Sequence, residues 1–430
     1  MLWIFLVALF GSLFIGIPVA IAMLLSAVIM LHIMGMFDPQ NIIENLMMGA
    51  NNFPLMAIPF FMLTGELMKS GGISLRIVDF AMSMVGHIKG GLGYVVIISG
   101  LIFAGLSGSA VADTAALGAI LIPMMISKGY PAPRSTAIIC SVGIIAVVLP
   151  PSIPMIVFGV TAGVSITKLF MGGIVPAFLM ALGLWLVWRA QHRNTELGTM
   201  PKKNAHERWK AFKDAFWALL LPVIIIVGLR GGIFTPTEAG VVAAIYAAII
   251  GIAYRGITWS NLPDIFFNTV KTTGIVMFVA AAAMVSAFAI TVAQIPTEIM
   301  EVLSGLTKNP TVMLILIMIF LLLVGCVMDL IPAVLIFVPV LMPIIKSYGI
   351  NPNYFGILMI LNLSIGLITP PIGTVLYVGS GVSKVSIGNI SKSILPYLLV
   401  YFIIMFSFVF FPEIIITPMN YFCLLYTSPS

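Results

Sequence analysis

Uninterrupted apolar runs such as MLILIMIFLLLVG (313–325) and YLLVYFIIMFSFVFF (397–411) recur along the whole chain. A helix built from such a run has no polar face to offer water, so lipid or other helices must cover it all round. One membrane crossing needs roughly 20 mostly apolar residues, and the runs hold material for about ten or more crossings. The residues are 61% hydrophobic and 8% charged, far from the roughly one quarter charged of a soluble domain. A transmembrane β-barrel would show short segments of alternating polarity instead. The sequence predicts an all-α polytopic membrane protein.

The opening stretch MLWIFLVALFGSLFIGIPVAIAM (1–23) lacks a basic n-region and is too long for a signal-peptide core, so it reads as the first membrane helix. Cys140, Cys326 and Cys423 follow no paired spacing, and no disulfide framework, metal cluster or cofactor is expected. The net charge of +6 is not a nucleic-acid signature, because seven of the 20 basic residues crowd between Arg189 and Lys213. That crowding marks the segment as cytoplasmic. Within it, RWKAFKDAFWALL (208–220) suits either an amphipathic helix at the membrane surface or a plain connector. The connector, 189–216, separates an N-terminal half, 1–188, from a C-terminal half, 217–418, with 419–430 as a tail. Segments 114–127 and 330–345 are short for a crossing, and short apolar segments in matching places of two halves point to a transporter site.

The halves do match. Asp113 and Pro123 pair with Asp329 and Pro339 at an offset of 216. Pro150, Pro151, Gly159 and Pro176 pair with Pro370, Pro371, Gly379 and Pro396 at an offset of 220. An ordered set of six predicts two structural repeats, each with a helical hairpin and a helix broken at Pro-Pro. Proline removes a backbone donor and drives the preceding residue out of the α region. Leu149 and Thr369 are therefore expected to be extended, with carbonyls freed from their helical donors. Such a break is tolerated in lipid only where it faces protein or a watery cavity, and freed carbonyls are hard ligands suited to a small cation. An ordinary proline kink is the plainer reading of either break alone.

SGSAVAD (107–113) adds the Ser107 and Ser109 hydroxyls, with turn-permitting glycines at Gly105 and Gly108. These serines suit cation ligation or close helix packing equally. A hairpin tip there would meet the first break, and Gly325 would approach the Gly366–Thr369 turn in the same way. Asp113 and Asp329 are functional candidates by their apolar setting, and alternatively cap the second arm of each hairpin. Glu238 reads as a first-turn acid behind Thr235-Pro236, and Glu66 as structural or interfacial. GLSG (105–108) has the form seen around a serine nucleophile, but no histidine stands within the repeat cores to act as its base. With no nucleotide or metalloprotease motif either, the chain is not read as an enzyme.

At SGSAVADTAALGAILIPMM (107–125), LPPSIP (149–154) and LNLSIGLITPPIGTVLYVGSG (361–381) the chain resembles the large membrane subunit of TRAP (tripartite ATP-independent periplasmic) transporters. IPFFMLTGELMKSGG, FTPTEAG and VGCVMDLIPAVLIFVPVLMPI extend the resemblance over nearly the whole chain, nearest to permeases for sugar acids such as 2,3-diketo-L-gulonate. It implies an elevator-type carrier in the bacterial inner membrane that imports a carboxylate with Na+ as coupling ion. Carried onto this sequence, one sodium site falls on Ser107, Ser109, Gly143, Val147 and Pro150. The other falls on Gly325, Gly366, Thr369 and Ile372, with substrate near Ser109, Asp113, Asp329 and Thr374. The resemblance also implies two partners, a small four-helix membrane subunit and a periplasmic substrate-binding protein. A stand-alone proton- or sodium-coupled anion carrier is the competing reading. The last residues, CLLYTSPS, depart from the family pattern and read as a reading-frame artefact.

Overall fold

The computed structural model describes residues 1–193 and 200–423, apart from the side chains at 301–304 and 306. The last seven residues of the predicted tail lie outside that range. All regular structure among the described residues is helical. The first half runs through α1 (Leu2–Phe14), α2 (Val19–Ile33), α3 (Pro39–Ala50), α4 (Ala57–Ser70) and α5 (Ile73–Val85). Then follow α6 (Gly91–Ser107), α7 (Ala110–Ser127), α8 (Ala132–Gly143), α9 (Ile153–Ala162) and α10 (Ile166–His192). The second half continues through α11 (Ala205–Arg230), α12 (Pro236–Ala253), α13 (Leu262–Val292), α14 (Ile295–Leu306) and α15 (Pro310–Gly325). It ends with α16 (Leu330–Ser347), α17 (Pro352–Gly366), α18 (Thr374–Ser383), α19 (Ile387–Phe410) and α20 (Glu413–Cys423).

Seven of these helices are long and apolar enough to cross a membrane, or eight if the bent pair α3–α4 is one span. That is fewer than the ten or more expected from apolar length. The difference is physical: hairpin turns and Pro-Pro breaks cut much of the apolar sequence into half-length helices of 10–17 residues. Segments 114–127 and 330–345, read as short, belong to the 18-residue helices α7 and α16.

The basic segment does not form a separate surface helix. Residues 208–220 lie inside α11, which continues unbroken to Arg230. A capping box starts it: Glu207 N donates to Asn204 Oδ1 at 2.8 Å, and Asn204 N donates to Glu207 Oε2 at 2.7 Å. Asn204→Ala should speed amide exchange in this first turn about fivefold, the effect of losing a cap worth about 1 kcal/mol. Exchange unchanged at Glu207 would contradict the cap. A second box, Thr235 with Glu238, starts α12, as the sequence indicated.

The repeat is real, and its register is simpler than residue identity suggested. Helices α7 and α16 both have 18 residues and begin 220 positions apart, at Ala110 and Leu330. The breaks, both with cis Pro-Pro bonds, are also 220 apart. One offset therefore runs through hairpin and break. Pro123 corresponds to Pro343 rather than Pro339, and Asp113 to Ala333. The counterpart of Asp329 is Ser109, for both stand at the N-cap of a hairpin's second arm. Serine and aspartate both suit that position, but only Ser109 makes a side-chain cap bond there, while the Asp329 carboxylate accepts from Thr374.

Packing between the repeats is reciprocal: α9 lies on α16 and α18 on α7, while α10 lies on α17 and α19 on α8. Trp188 Nε1 donates to Gly90 O at 2.8 Å, and Met200 N donates to Gly86 O at 3.1 Å. These bonds tie the base of hairpin α6–α7 to the end of α10 and to the basic connector. Helix α13 begins on the same face, where Tyr254, just before it, donates to Asp214 O of α11. Its 31 residues span about 46 Å at 1.5 Å per residue, more than the ~30 Å hydrocarbon core. The 12-residue α14 is too short to cross back, and Tyr348 at the end of α16 donates its hydroxyl to Thr307 O just after α14 at 2.8 Å, so hairpin α15–α16 enters from the opposite face and the repeats are inverted.

Two groups of helices result. Helices α1–α4, α12 and α13 pack on one another as a frame, while the hairpins, broken helices, α10 and α19 form a second body. The frame departs from the repeat, because α3–α4 is bent by 49° where α13 is one helix. Outward apolar residues at helical spacing, such as Leu395, Leu399 and Ile403 on α19, are what a lipid-facing surface requires.

Candidate functional site

The first hairpin turns on three residues. Gly108 takes a left-handed conformation (φ 63°), and Ser109 is extended and caps α7, accepting from Ala112 N at 3.4 Å. The tip sits directly on the first break, since a Cβ at Gly108 would lie 2.6 Å from Pro151 O. Behind the tip, the Ser107 hydroxyl donates to Asp113 Oδ1 and accepts from Ser109 N. Asp113 is thus one turn inside α7 and does not cap it. Its carboxylate is buried, and Oδ2 has no hydrogen-bond partner among the described residues. The neighbouring Thr114 Oγ1 is likewise buried and unpartnered.

Gly143, at the end of α8, closes this pocket of oxygens. A Cβ there would lie 2.0 Å from Thr114 Oγ1 and 3.2 Å from Ala110 O, so the absence of a side chain is what lets α7 approach the break. A short 3-10 turn, Ile144–Val147, then leads to Pro150 and Pro151. Pro151 cannot donate to Val147 O, and the Ser152 hydroxyl does so instead at 2.6 Å. The first five ion-site candidates, Ser107, Ser109, Gly143, Val147 and Pro150, therefore gather where hairpin meets break. Thr114 joins them unpredicted. Its only sequence signal was adjacency to Asp113 in an otherwise apolar helix.

The second break repeats the arrangement with different atoms. Gly325 and Gly366 meet backbone to backbone, with a Cβ on Gly366 only 2.5–2.7 Å from Gly325 C, Cα and O. Leu367 O, deprived of a donor by Pro371, accepts from Val375 N at 3.1 Å. Thr369 donates its hydroxyl to Ile365 O at 2.8 Å, leaving its oxygen lone pairs free. Ile372 is 38% exposed in the loop and does not share the Gly325–Gly366 contact. The first break is buried throughout, whereas Pro370, Pro371 and Ile372 are exposed.

Both tips and both breaks converge on one cavity of about 70 Å³. Ser109, Val147, Asp329 and Leu367 line it together. Asp329 Oδ1 accepts from the Thr374 hydroxyl at a long 3.5 Å. Of the four substrate-site candidates, Ser109, Asp329 and Thr374 are thus brought to one place and Asp113 is not. Asp113 lines a second cavity of about 310 Å³ between hairpin α6–α7 and helices α4 and α13, which Ser109 also borders.

The chain matches the family model described as tripartite ATP-independent periplasmic transporter, DctM component, over residues 6–414. It is 71% identical to a putative TRAP transporter large permease protein of Haemophilus influenzae, covering 93% of this chain and 100% of that protein. It is 49% identical to the 2,3-diketo-L-gulonate TRAP transporter large permease protein YiaN of Escherichia coli, covering 97% and 99%. Identity to the sialic acid TRAP transporter large permease protein SiaM of Vibrio cholerae is 36%, covering 94% and 95%. All three are named as transporter permease subunits rather than enzymes. The crystal structure of the Alcanivorax borkumensis YdaH transporter shares the fold, with a TM-score of 0.62 at 16% identity over 87% of this chain and 88% of that one.

Proposed function

Because the chain belongs to the DctM component family of tripartite ATP-independent periplasmic transporters, we propose that it imports a carboxylate across the bacterial inner membrane with sodium. The convergence of both hairpin tips and both breaks on one cavity carries this reading. Relatives named for 2,3-diketo-L-gulonate and sialic acid favour a sugar acid as cargo, or a dicarboxylate of similar size. Small membrane and periplasmic binding subunits complete the transporter and deliver the cargo.

The residues give sodium its role. Near the hairpin tips an anionic cargo meets Asp329, and like charges repel strongly away from bulk water. Sodium at Ser107, Ser109, Gly143, Val147 and Pro150, and at Gly325, Gly366, Thr369 and Ile372, offsets that repulsion. The unpartnered oxygens of Asp113 and Thr114 suit a cation better than an anion, so Asp113 fits the first sodium site rather than the cargo site. Cargo binds well only when the ions are in place, which couples the two. The hairpin body then moves against the frame in an elevator step. Each net positive charge carried inward gains about 2.3 kcal/mol per 100 mV.

In proteoliposomes holding the complete transporter, Ser109→Ala and Thr369→Ala should each raise the half-saturating sodium concentration about fivefold, the loss of one oxygen ligand of roughly 1 kcal/mol. Unaltered sodium dependence in both variants would remove these sites from the account. Uptake undiminished without the binding protein would make the chain a carrier that works alone.

A further inference from the structure

The cavity between hairpin α6–α7 and the frame borders the first sodium site at Ser107, Ser109 and Asp113 and extends from there to α4 and α13. At about 310 Å³ it reaches the lower end of small-molecule sites, roughly 300–1,000 Å³. Hairpin residues Ser107, Ser109 and Asp113 form one wall, and Glu66, Lys69, Asn268 and Thr272 of α4 and α13 form the other. It lies toward the basic face: α4 ends at Ser70, and the next helix shares a groove with Lys203 and Lys210 through Arg76 and Asp79.

Among the described residues, Lys69 is the only cationic side chain lining this cavity. Its Nζ stands 3.8 Å from Glu66 Oε1, with the side chains 57% and 24% exposed. An ion pair this long and this wet contributes at most about 1 kcal/mol, so a competing carboxylate displaces Glu66 readily. Asn268 supplies amide donors from the facing helix, whose Thr272 hydroxyl is engaged with Asn268 O at 2.8 Å. Ser109 borders both this cavity and the smaller one between the tips, so the two adjoin at a single residue.

We propose that this cavity is a release site for the cargo carboxylate, with Lys69 and Asn268 as its recognition groups and Glu66 as a displaceable counter-charge. The proposal rests on the transport reading above. Lys69 and Asn268 belong to the frame, so the site is complete only while hairpin α6–α7 stands against α4 and α13, as it does here. Cargo leaving the tips is received by a cation on the fixed wall. Glu66 keeps that contact weak enough for the cargo to leave.

The test uses the complete transporter in proteoliposomes, with binding protein supplied outside so that only outward-oriented copies count. 2,3-Diketo-L-gulonate, sialic acid and succinate are tried in turn as probes, and the transported one is then loaded inside to inhibit uptake. The readout is the ratio of the lumenal half-inhibitory concentration to the external half-saturating concentration. Lys69→Gln should raise this ratio about fivefold, the loss of one exposed charge contact, and Lys69→Arg should restore it. Glu66→Gln should lower it about threefold. A variant that merely folds poorly loses rate without moving the ratio. A ratio unchanged in Lys69→Gln, or moved the same way by Glu66→Gln, overturns the release site alone. Uptake by the wild type with no lumenal inhibition by its probe overturns it too. No wild-type uptake of any probe sinks the transport reading along with it.

Discussion

Gly366→Ala should abolish uptake and lower stability by about 3 kcal/mol, the upper end for overpacking a filled interior. The added Cβ would lie 2.5–2.7 Å from the carbonyl carbon, Cα and oxygen of Gly325. Those are backbone atoms, which no rotamer change moves aside. Relief would require hairpin α15–α16 to lift from the second break and spread the Gly325, Gly366 and Thr369 oxygens apart. The reverse substitution is a built-in control. A Cβ at Gly325 would stand 3.2 Å from Gly366 Cα, so Gly325→Ala should be the milder of the pair. Thermal unfolding of both purified variants in detergent checks the ranking, and equal losses would contradict the close approach described here.

Asp113→Asn should raise the half-saturating sodium concentration at least tenfold, about 1.4 kcal/mol, while leaving thermal stability without sodium nearly unchanged. The substitution keeps the shape and an acceptor for the Ser107 hydroxyl, and replaces the other charged oxygen with an amide NH2 that donates and cannot ligate a cation. A buried carboxylate is costly unless something pairs with it, and among the described residues only Ser107 bonds to the Asp113 carboxylate, through Oδ1. Sodium is the partner that the free Oδ2 and the adjacent Thr114 Oγ1 suit. Sodium-dependent uptake and sodium-induced thermal stabilisation read the effect. If Asp113→Asn keeps wild-type sodium dependence, Asp113 serves as a neutral hydrogen-bonding group and the first sodium site lies elsewhere.

Much of this arrangement was legible in the chain because proline and glycine act locally. Two Pro-Pro pairs 220 residues apart identified the breaks, since adjacent prolines remove two successive backbone donors, whereas single prolines such as Pro123 and Pro176 stay inside their helices. The Gly325–Gly366 approach followed from the same logic. The hairpin register was harder to read. Matching Asp113 to Asp329 and Pro123 to Pro339 satisfied residue identity, but the fold equates capping positions, and Ser109 and Asp329 share one. The capping role foreseen for Asp113 belongs to Ser109 for the same reason.

Other features depend on which helices meet, which residue types do not encode. Thr114 became a candidate only when Gly143 brought α8 against it. Lys69 and Asn268 lie nearly 200 positions apart and share a wall only because α4 packs against α13. The inversion of the repeats likewise required the length of α13 and the bonds at the two hairpin bases.

The central claim is that the paired hairpins and breaks form one site where sodium and a carboxylate bind together. Uptake of 2,3-diketo-L-gulonate, sialic acid and succinate by the complete reconstituted transporter, under an inward sodium gradient or a proton gradient alone, tests it most directly. The account predicts that at least one probe accumulates with sodium and that none does with protons alone. Uptake driven equally well by a proton gradient without sodium would contradict it.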